Sequence, residues 1–396
     1  MKDIFEEITP ERLKEDLRTY WPNFELVAYA LYDKDNVYLY NHPSYTSHYS
    51  IVKRTQQFIS NTLIMFENYP TAIVSIEENP DFIDLYSILS HELFHGYQYL
   101  KEEKRFPNEM AGTTYPLSAD NIELRSKERN YLYRAVMAAT SRERNEAIVQ
   151  FLSSREQRKS MIDEHLLYET LIETVEGPAW YVECNAYNHN SSLTYEEVLQ
   201  KYSDSLLNVF DSTLHVRRSC YSSGLFLCLL LNKLSPEWHE PFLGYSKTLY
   251  DFFIEIVSEK EIEQIGEVTI SKQTFHVIDY IKSSKENEFI DFNQKNGIHI
   301  YIEGEIAIKM LDPMNIISHE NIQLHKHFVK IGIQANEYFI EQPVKISFDK
   351  HVERIKTVHL IVSDEPTIKN NLIKIIDIGS FNGEYRKKGN AHYIYV

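Results

Sequence analysis

The sequence predicts an α+β chain whose helices and strands are segregated along its length rather than alternating. Three observations carry that expectation: strand-like alternation near the amino terminus, a long central stretch with apolar residues at helical spacing, and a last third of alternating β-branched runs. The 396 residues suit two or three domains at about 150 residues each. The change of texture sets the expected boundaries at 1–262, divided into a sheet-rich part (1–80) and a mostly helical part (81–262), and at 263–396.

From Asn23 to Asn41, FELVAYALYD, a Lys34-Asp35-Asn36 turn and VYLY read as a hairpin. The mixed stretch from Ile51 to Phe66 is expected to be helical, and TAIVSI, Thr71 to Ile76, a short β-branched strand. Asn79-Pro80-Asp81 then opens a helix running to about Leu100. Asn79 can cap it, Pro80 suits the first helical position, and Asp81 favours the positive end of the helix dipole. Pro107 to Asn121 is a loop by composition, and Ile122 to Ile262 reads as almost wholly helical. The charged stretches Ser141 to Glu146 and Ser153 to Lys159 are expected to be solvated helix surface or turns, and LFLCLLL, Leu225 to Leu231, a buried helix. After Gln264 come IHIYIEGEIAIKM, FVKIGI, EYFIEQPVKISF, TVHLIVSD, LIKIIDIG and HYIYV, expected to form a β-sandwich-like accessory domain. Its open role is to cap a cleft, to recognise a partner or to mediate self-association.

Composition removes several classes. A 13% aromatic content excludes a disordered chain. With 41 basic against 58 acidic residues, the net charge of −17 argues against nucleic-acid and anionic-membrane partners. No apolar run approaches the roughly 20 residues that span a bilayer, and the charged start, Met1 to Tyr20, lacks a signal-peptide core. The three cysteines, Cys184, Cys220 and Cys228, form no CxxC pair and are odd in number. A disulfide framework is therefore not expected, and a reducing, cytoplasmic setting is.

The chemistry-bearing motif is HELFH, His91 to His95, an HExxH. Imidazoles four residues apart stand one turn above each other on one helix face, so both can reach one zinc ion, while Glu92 between them is placed as general base. A catalytic zinc needs a third protein ligand and an open position. Position 98 is Gln and position 101 is Lys, which excludes HExxHxxGxxH. About 80 residues further on, Glu173 to Tyr181 reads ETVEGPAWY. On the residues alone, Glu169, Glu173, Glu176 and Glu183 opposite Leu167, Leu171, Val175 and Val182 also describe an exposed acidic stripe on an amphipathic helix. Pro178 there implies a kink or a fresh helix start near Glu176.

HExxH followed by this EGxA segment resembles the gluzincin metallopeptidases, the group of thermolysin and the aminopeptidase N type. The resemblance covers Thr71 to Leu231. It implies a zincin-like catalytic domain with a small antiparallel sheet, Thr71 to Ile76 as an edge strand along the cleft, one Zn²⁺ per chain and a peptide or protein substrate. It also implies Glu176 as third ligand, with Glu173 as runner-up and otherwise as outer partner of a ligating histidine. Cys220 to Phe226, CYSSGLF, matches the YxxG of aminopeptidase-type members, which makes Tyr221 the donor to the oxyanion and Gly224 its glycine. His215 is the second candidate, since a histidine has that part in thermolysin-like members, and Arg217-Arg218 offer further donors. The Gly-x-Met-Glu-Asn segment of the aminopeptidase N type is missing, and Glu77-Glu78-Asn79 is not read as an exopeptidase site. Gln98, one turn after His95, faces the same side as both histidines.

The expected function is zinc-dependent hydrolysis of peptide bonds, with zinc on His91, His95 and Glu176 and Glu92 as base. Two alternatives stand beside it: a zinc hydrolase of a non-peptide amide, and a catalytically inactive interaction protein whose HExxH helix is a relic.

Overall fold

A computed structural model describes residues 2–45, 47, 49–257, 266–349 and 354–396. The chain is mixed α+β and divides into two compact units, Met1–Asn108 with Asp120–Ile270, and Glu109–Ala119 with Ser271–Val396. The boundary expected at 262 and 263 lies outside the described residues.

The first unit begins with α1 (Lys2–Glu7) and α2 (Pro10–Tyr20), followed by β1 (Ala28–Tyr32), β2 (Asn36–Tyr40), β3 (Ser50–Lys53), β4 (Thr62–Phe66) and β5 (Tyr69–Ser75). These strands form one sheet in the order β3-β2-β1-β5-β4. The sheet is mixed, not antiparallel as expected, because β5 lies parallel to β1, Ala28 opposite Thr71 and Tyr32 opposite Ser75. The chain runs outward through β2 and β3, crosses to the far edge for β4, and returns inward as β5. So β5 is an inner strand, and β4, not Thr71 to Ile76, forms that edge. The helix expected over Ile51 to Phe66 is absent; the stretch supplies β3 and β4 instead. Its β-branched residues find ladders on β2 and β5, and pairing outweighs weak local helicity.

The helix α3 (Phe82–Leu100) packs on this sheet. Leu85, Leu89 and Leu93 share a buried cluster with Val27, Tyr29, Leu31 and Val74. Gly96 permits the approach, since a Cβ there would meet a Val27 methyl at 2.2 Å. The cap differs from expectation. Asp81 accepts from the backbone N–H of Ile83 and Asp84, whereas the Asn79 amide donates to the Ser75 carbonyl at 3.0 Å. Pro80 disfavours helical backbone at Asn79, which moves the start two residues on.

Within the stretch Pro107 to Asn121, read as loop, α4 (Glu109–Thr113) forms a short turn of helix. Then come α5 (Ala119–Met137), α6 (Ser141–Asn190), α7 (Tyr195–Leu207), α8 (Val209–Leu214), α9 (Val216–Leu234), α10 (His239–Leu243) and α11 (Leu249–Ile256). Capping boxes set the starts of α6, α7 and α11 at Thr140/Glu143, Thr194/Glu197 and Thr248/Asp251. The break in α6 falls at Asp163, with φ of 20°, and not at Pro178, which sits inside continuous helix.

That break folds α6 into two arms joined by buried charge. Arg155 and Arg158, read as solvated surface, have 0% exposure. Arg155 donates to Glu128 of α5 and forks onto Glu173 at 2.7 Å to each oxygen; Arg158 reaches Glu128 at 2.6 Å, Asn121 at 3.0 Å, and Glu169. The acidic stripe is therefore inside: Glu169 and Glu173 are fully buried, while Leu167, placed on its apolar side, is 54% exposed. Burial alone would raise the Glu128 carboxyl, but Arg155 and Arg158 outweigh it and hold it below the usual carboxylate range.

The second arm of α6 crosses α9 at glycine on glycine. A Cβ on Gly177 would lie 2.6 Å from Gly224 Cα, and one on Gly224 would lie 2.7 Å from Gly177 Cα and 2.8 Å from the Glu173 carbonyl oxygen.

In the second unit, α12 (Lys272–Gln294) precedes the strands. Seven of them pair in the order Glu384–Lys388, Ala391–Tyr395, Ile298–Glu303, Ile355–Val362, Val344–Phe348, Ile322–His325, Ile316–His319. Two three-stranded sheets accompany them, and Ile300, Val344 and Leu360 share one core with Val329, Ile331, Ile373 and Phe381. On the other face, Phe289 and Phe292 of α12 cover Leu324. Among the described residues, no helix is long and apolar enough to cross a membrane.

Replacing Gly224 by Ala is expected to destabilise the protein by about 1–3 kcal/mol or more, because the atoms met are backbone and cannot rotate away. Urea unfolding followed by far-UV circular dichroism measures it; an unchanged midpoint would show that the helices part at no cost.

Candidate metal centre

His91 and His95 lie on one face of α3, and α6 brings Glu176 against them. His91 Nε2 is 3.0 Å from His95 Nε2, and Glu176 Oε2 is 3.4 Å from the first and 3.2 Å from the second. A tetrahedral zinc with ligand bonds of about 2.0–2.1 Å holds its ligand atoms about 3.3–3.4 Å apart. The three atoms therefore form, within a few tenths of an ångström, one face of that tetrahedron. Glu176 Oε2 is buried and has no hydrogen-bond partner, which fits an atom reserved for a cation. Two imidazoles and a carboxylate form a donor set that suits zinc.

Each candidate ligand is held from behind. His91 Nδ1 lies 3.0 Å from Glu183 Oε2, and Glu183 Oε1 accepts from the Tyr202 hydroxyl at 3.0 Å. His95 Nδ1 contacts Gln98 Oε1 at 2.8 Å, and the Gln98 amide donates to the Val175 carbonyl at 2.8 Å. Gln98 thus ties the HExxH helix to the turn preceding Glu176. Arg217 donates from Nη2 to Glu176 Oε1 at 3.1 Å and from Nη1 to the Tyr221 hydroxyl. The Tyr221 ring lies nearly parallel to His91, centroids 6.2 Å apart, with Trp180 edge-on at 5.7 Å.

The pocket is acidic. Burial pushes the His91 imidazole down, yet Glu176, Glu183 and Glu92 together hold it up at about 10. Glu92 is itself buried, and burial raises its carboxyl against the lowering effect of His91 and His95. Burial would also raise Glu176, but His95, Arg217 and His91 hold it well below the usual range. Carboxylates converging in a dry pocket favour a cation.

The structure thus brings together His91, Glu92, His95, Glu176 and Tyr221, and turns Glu173 away from them. Glu173 is not an outer partner of a histidine: both its oxygens serve Arg155, and Ser223 donates to Oε1 at 2.6 Å. One turn from Glu176, it faces the other arm of α6. His215 ends α8, nearly half exposed, with Asp211 Oδ1 3.9 Å away. Tyr221 lies inside α9. The partner the sequence reading missed is Glu183, two helical turns after Glu176; that spacing was the available signal.

Compared with protein-family models, with curated proteins and with solved structures, the chain finds no match.

Glu176→Ala should lower zinc affinity by more than the about 10–100-fold typical of losing an outer partner. Glu173→Ala should leave affinity nearly unchanged but cost about 3–5 kcal/mol of stability, since it strands Arg155. Chelator competition and thermal unfolding on the two variants separate the roles, and the reverse pattern would move the ligand to Glu173.

Proposed function

We propose that this chain is a zinc-dependent metallopeptidase of gluzincin type, with a zincin-like catalytic unit hydrolysing peptide bonds. The observation that carries the reading is the triangle of His91 Nε2, His95 Nε2 and Glu176 Oε2, with Glu92 buried beside it. Zinc bound there would supply Lewis acidity and lower the pKa of a water to about 7.

The chain's own groups account for the rest. Glu92, its carboxyl raised by burial, is a stronger base than an exposed carboxylate. It takes a proton from the attacking water and passes it to the leaving amine nitrogen as the C–N bond breaks. The Tyr221 phenol is held well above its ordinary pKa by burial and by Glu176, against Arg217, so it keeps its proton and can donate to the carbonyl oxygen as charge develops there. Gln98 and Glu183 hold the two imidazoles in orientation.

Metal analysis should find about one zinc per chain, and a peptide library should be cleaved by the wild type. Glu92→Gln should keep its zinc and lose about 10²–10⁴-fold in turnover. Cleavage at the wild-type rate by that variant, or a wild type that binds no zinc, would sink the proposal.

A further inference from the structure

The two oxygens of Glu176 have different surroundings. Oε2 faces the histidine nitrogens without a hydrogen bond, while Oε1 accepts from Arg217 at 3.1 Å. We propose that Arg217 is a positioning residue that holds Glu176 as a one-oxygen metal ligand and fixes the Tyr221 phenol from the same guanidinium. This rests on the metal-centre reading above.

A carboxylate can bind a metal through one oxygen or both. With Oε1 engaged by the guanidinium cation, its electron density is drawn toward Arg217 and two-oxygen binding is disfavoured in a nearly dry site, where the Arg217 side chain is 14% exposed. The fourth position that a catalytic zinc keeps open for water or substrate therefore stays open. The second contact goes to the Tyr221 hydroxyl, and the guanidinium lies 5.2 Å above the Tyr221 ring. A planar fork of five N–H donors serves both acceptors in one fixed geometry; a lysine ammonium keeps the positive charge on Glu176 Oε1 but does not fix the phenol at the same time.

Placement reinforces the assignment. Arg217 stands in the first turn of α9 and Glu176 on α6, so the clamp spans two helices whose separation is set at Gly177 and Gly224. Tyr221, one turn beyond Arg217, lies alongside His91. One side chain thus couples the third ligand to the proposed oxyanion donor.

The test uses the full chain. Arg217→Met and the more polar Arg217→Gln both remove the charge, and Arg217→Lys restores it; far-UV circular dichroism selects the folded variants. Zinc affinity is read by competition with a chelating dye, and coordination by the visible absorption of the cobalt-substituted protein. The neutral variants should lose about 10–100-fold in zinc affinity, their cobalt band should weaken as Glu176 turns to two-oxygen binding, and Lys should recover most of the affinity. Neutral variants that bind zinc within about twofold of wild type with an unaltered cobalt band would overturn the clamp. So would equal losses in the Lys and the neutral variants, which would assign Arg217 a packing role. A wild type that holds no zinc would instead overturn the metal centre itself.

Discussion

The contact on which the rest depends is the crossing of α6 and α9 at Gly177 and Gly224, where two backbones meet with no side chain between them. At such separation, three residues fall into place. Ser223 reaches Glu173 across the interface, Arg217 reaches Glu176, and Tyr221 comes to rest beside His91. A methyl group at either glycine would wedge the helices apart by the ångström or so that hydrogen bonds at 2.6 and 3.1 Å cannot absorb. The glycines of the EGxA and YxxG segments are thus explained by packing, without appeal to flexible backbone.

Beneath that crossing lies an unusual foundation. Arg155 and Arg158 from one arm of α6 meet Glu169 and Glu173 from the other, with Glu128 of α5 between them, all at 0% exposure. Ion pairs of this kind add little net stability over an apolar core, because taking both charges out of water nearly offsets their attraction. A slipped register would leave a charge buried without its partner. Glu173 is one turn from Glu176, so a network that fixes the first also fixes the direction in which the second points. Rigidity behind Glu176 is what the proposed metal centre would require.

Much of this was legible in the sequence. HExxH is a local device: spacing within one helix puts His91 and His95 on one face whatever the rest of the chain does. The helical centre and the β-rich last third likewise follow from local periodicity. Failures came where local signals were weak or ambiguous. The stretch Ile51 to Phe66 has no strong period, and its strands exist because β2 and β5 offer partners. The segment Ser153 to Lys159 is charged, and charge normally means surface. Nothing within those residues announces the three buried glutamates that receive Arg155 and Arg158.

The sequence by itself determined which groups could bind a metal and that two of them share a helix face, because an i, i+4 relation is settled by helix geometry alone. Only the tertiary structure decided between Glu173 and Glu176. They are one turn apart on the same helix and chemically identical, and what separates them is what stands opposite: Arg155 for the first, the imidazoles and Arg217 for the second. The same holds for Glu183, whose place behind His91 depends on how α6 lies across α3. Choices between equivalent side chains are made by long-range packing and desolvation, which a single sequence carries only implicitly.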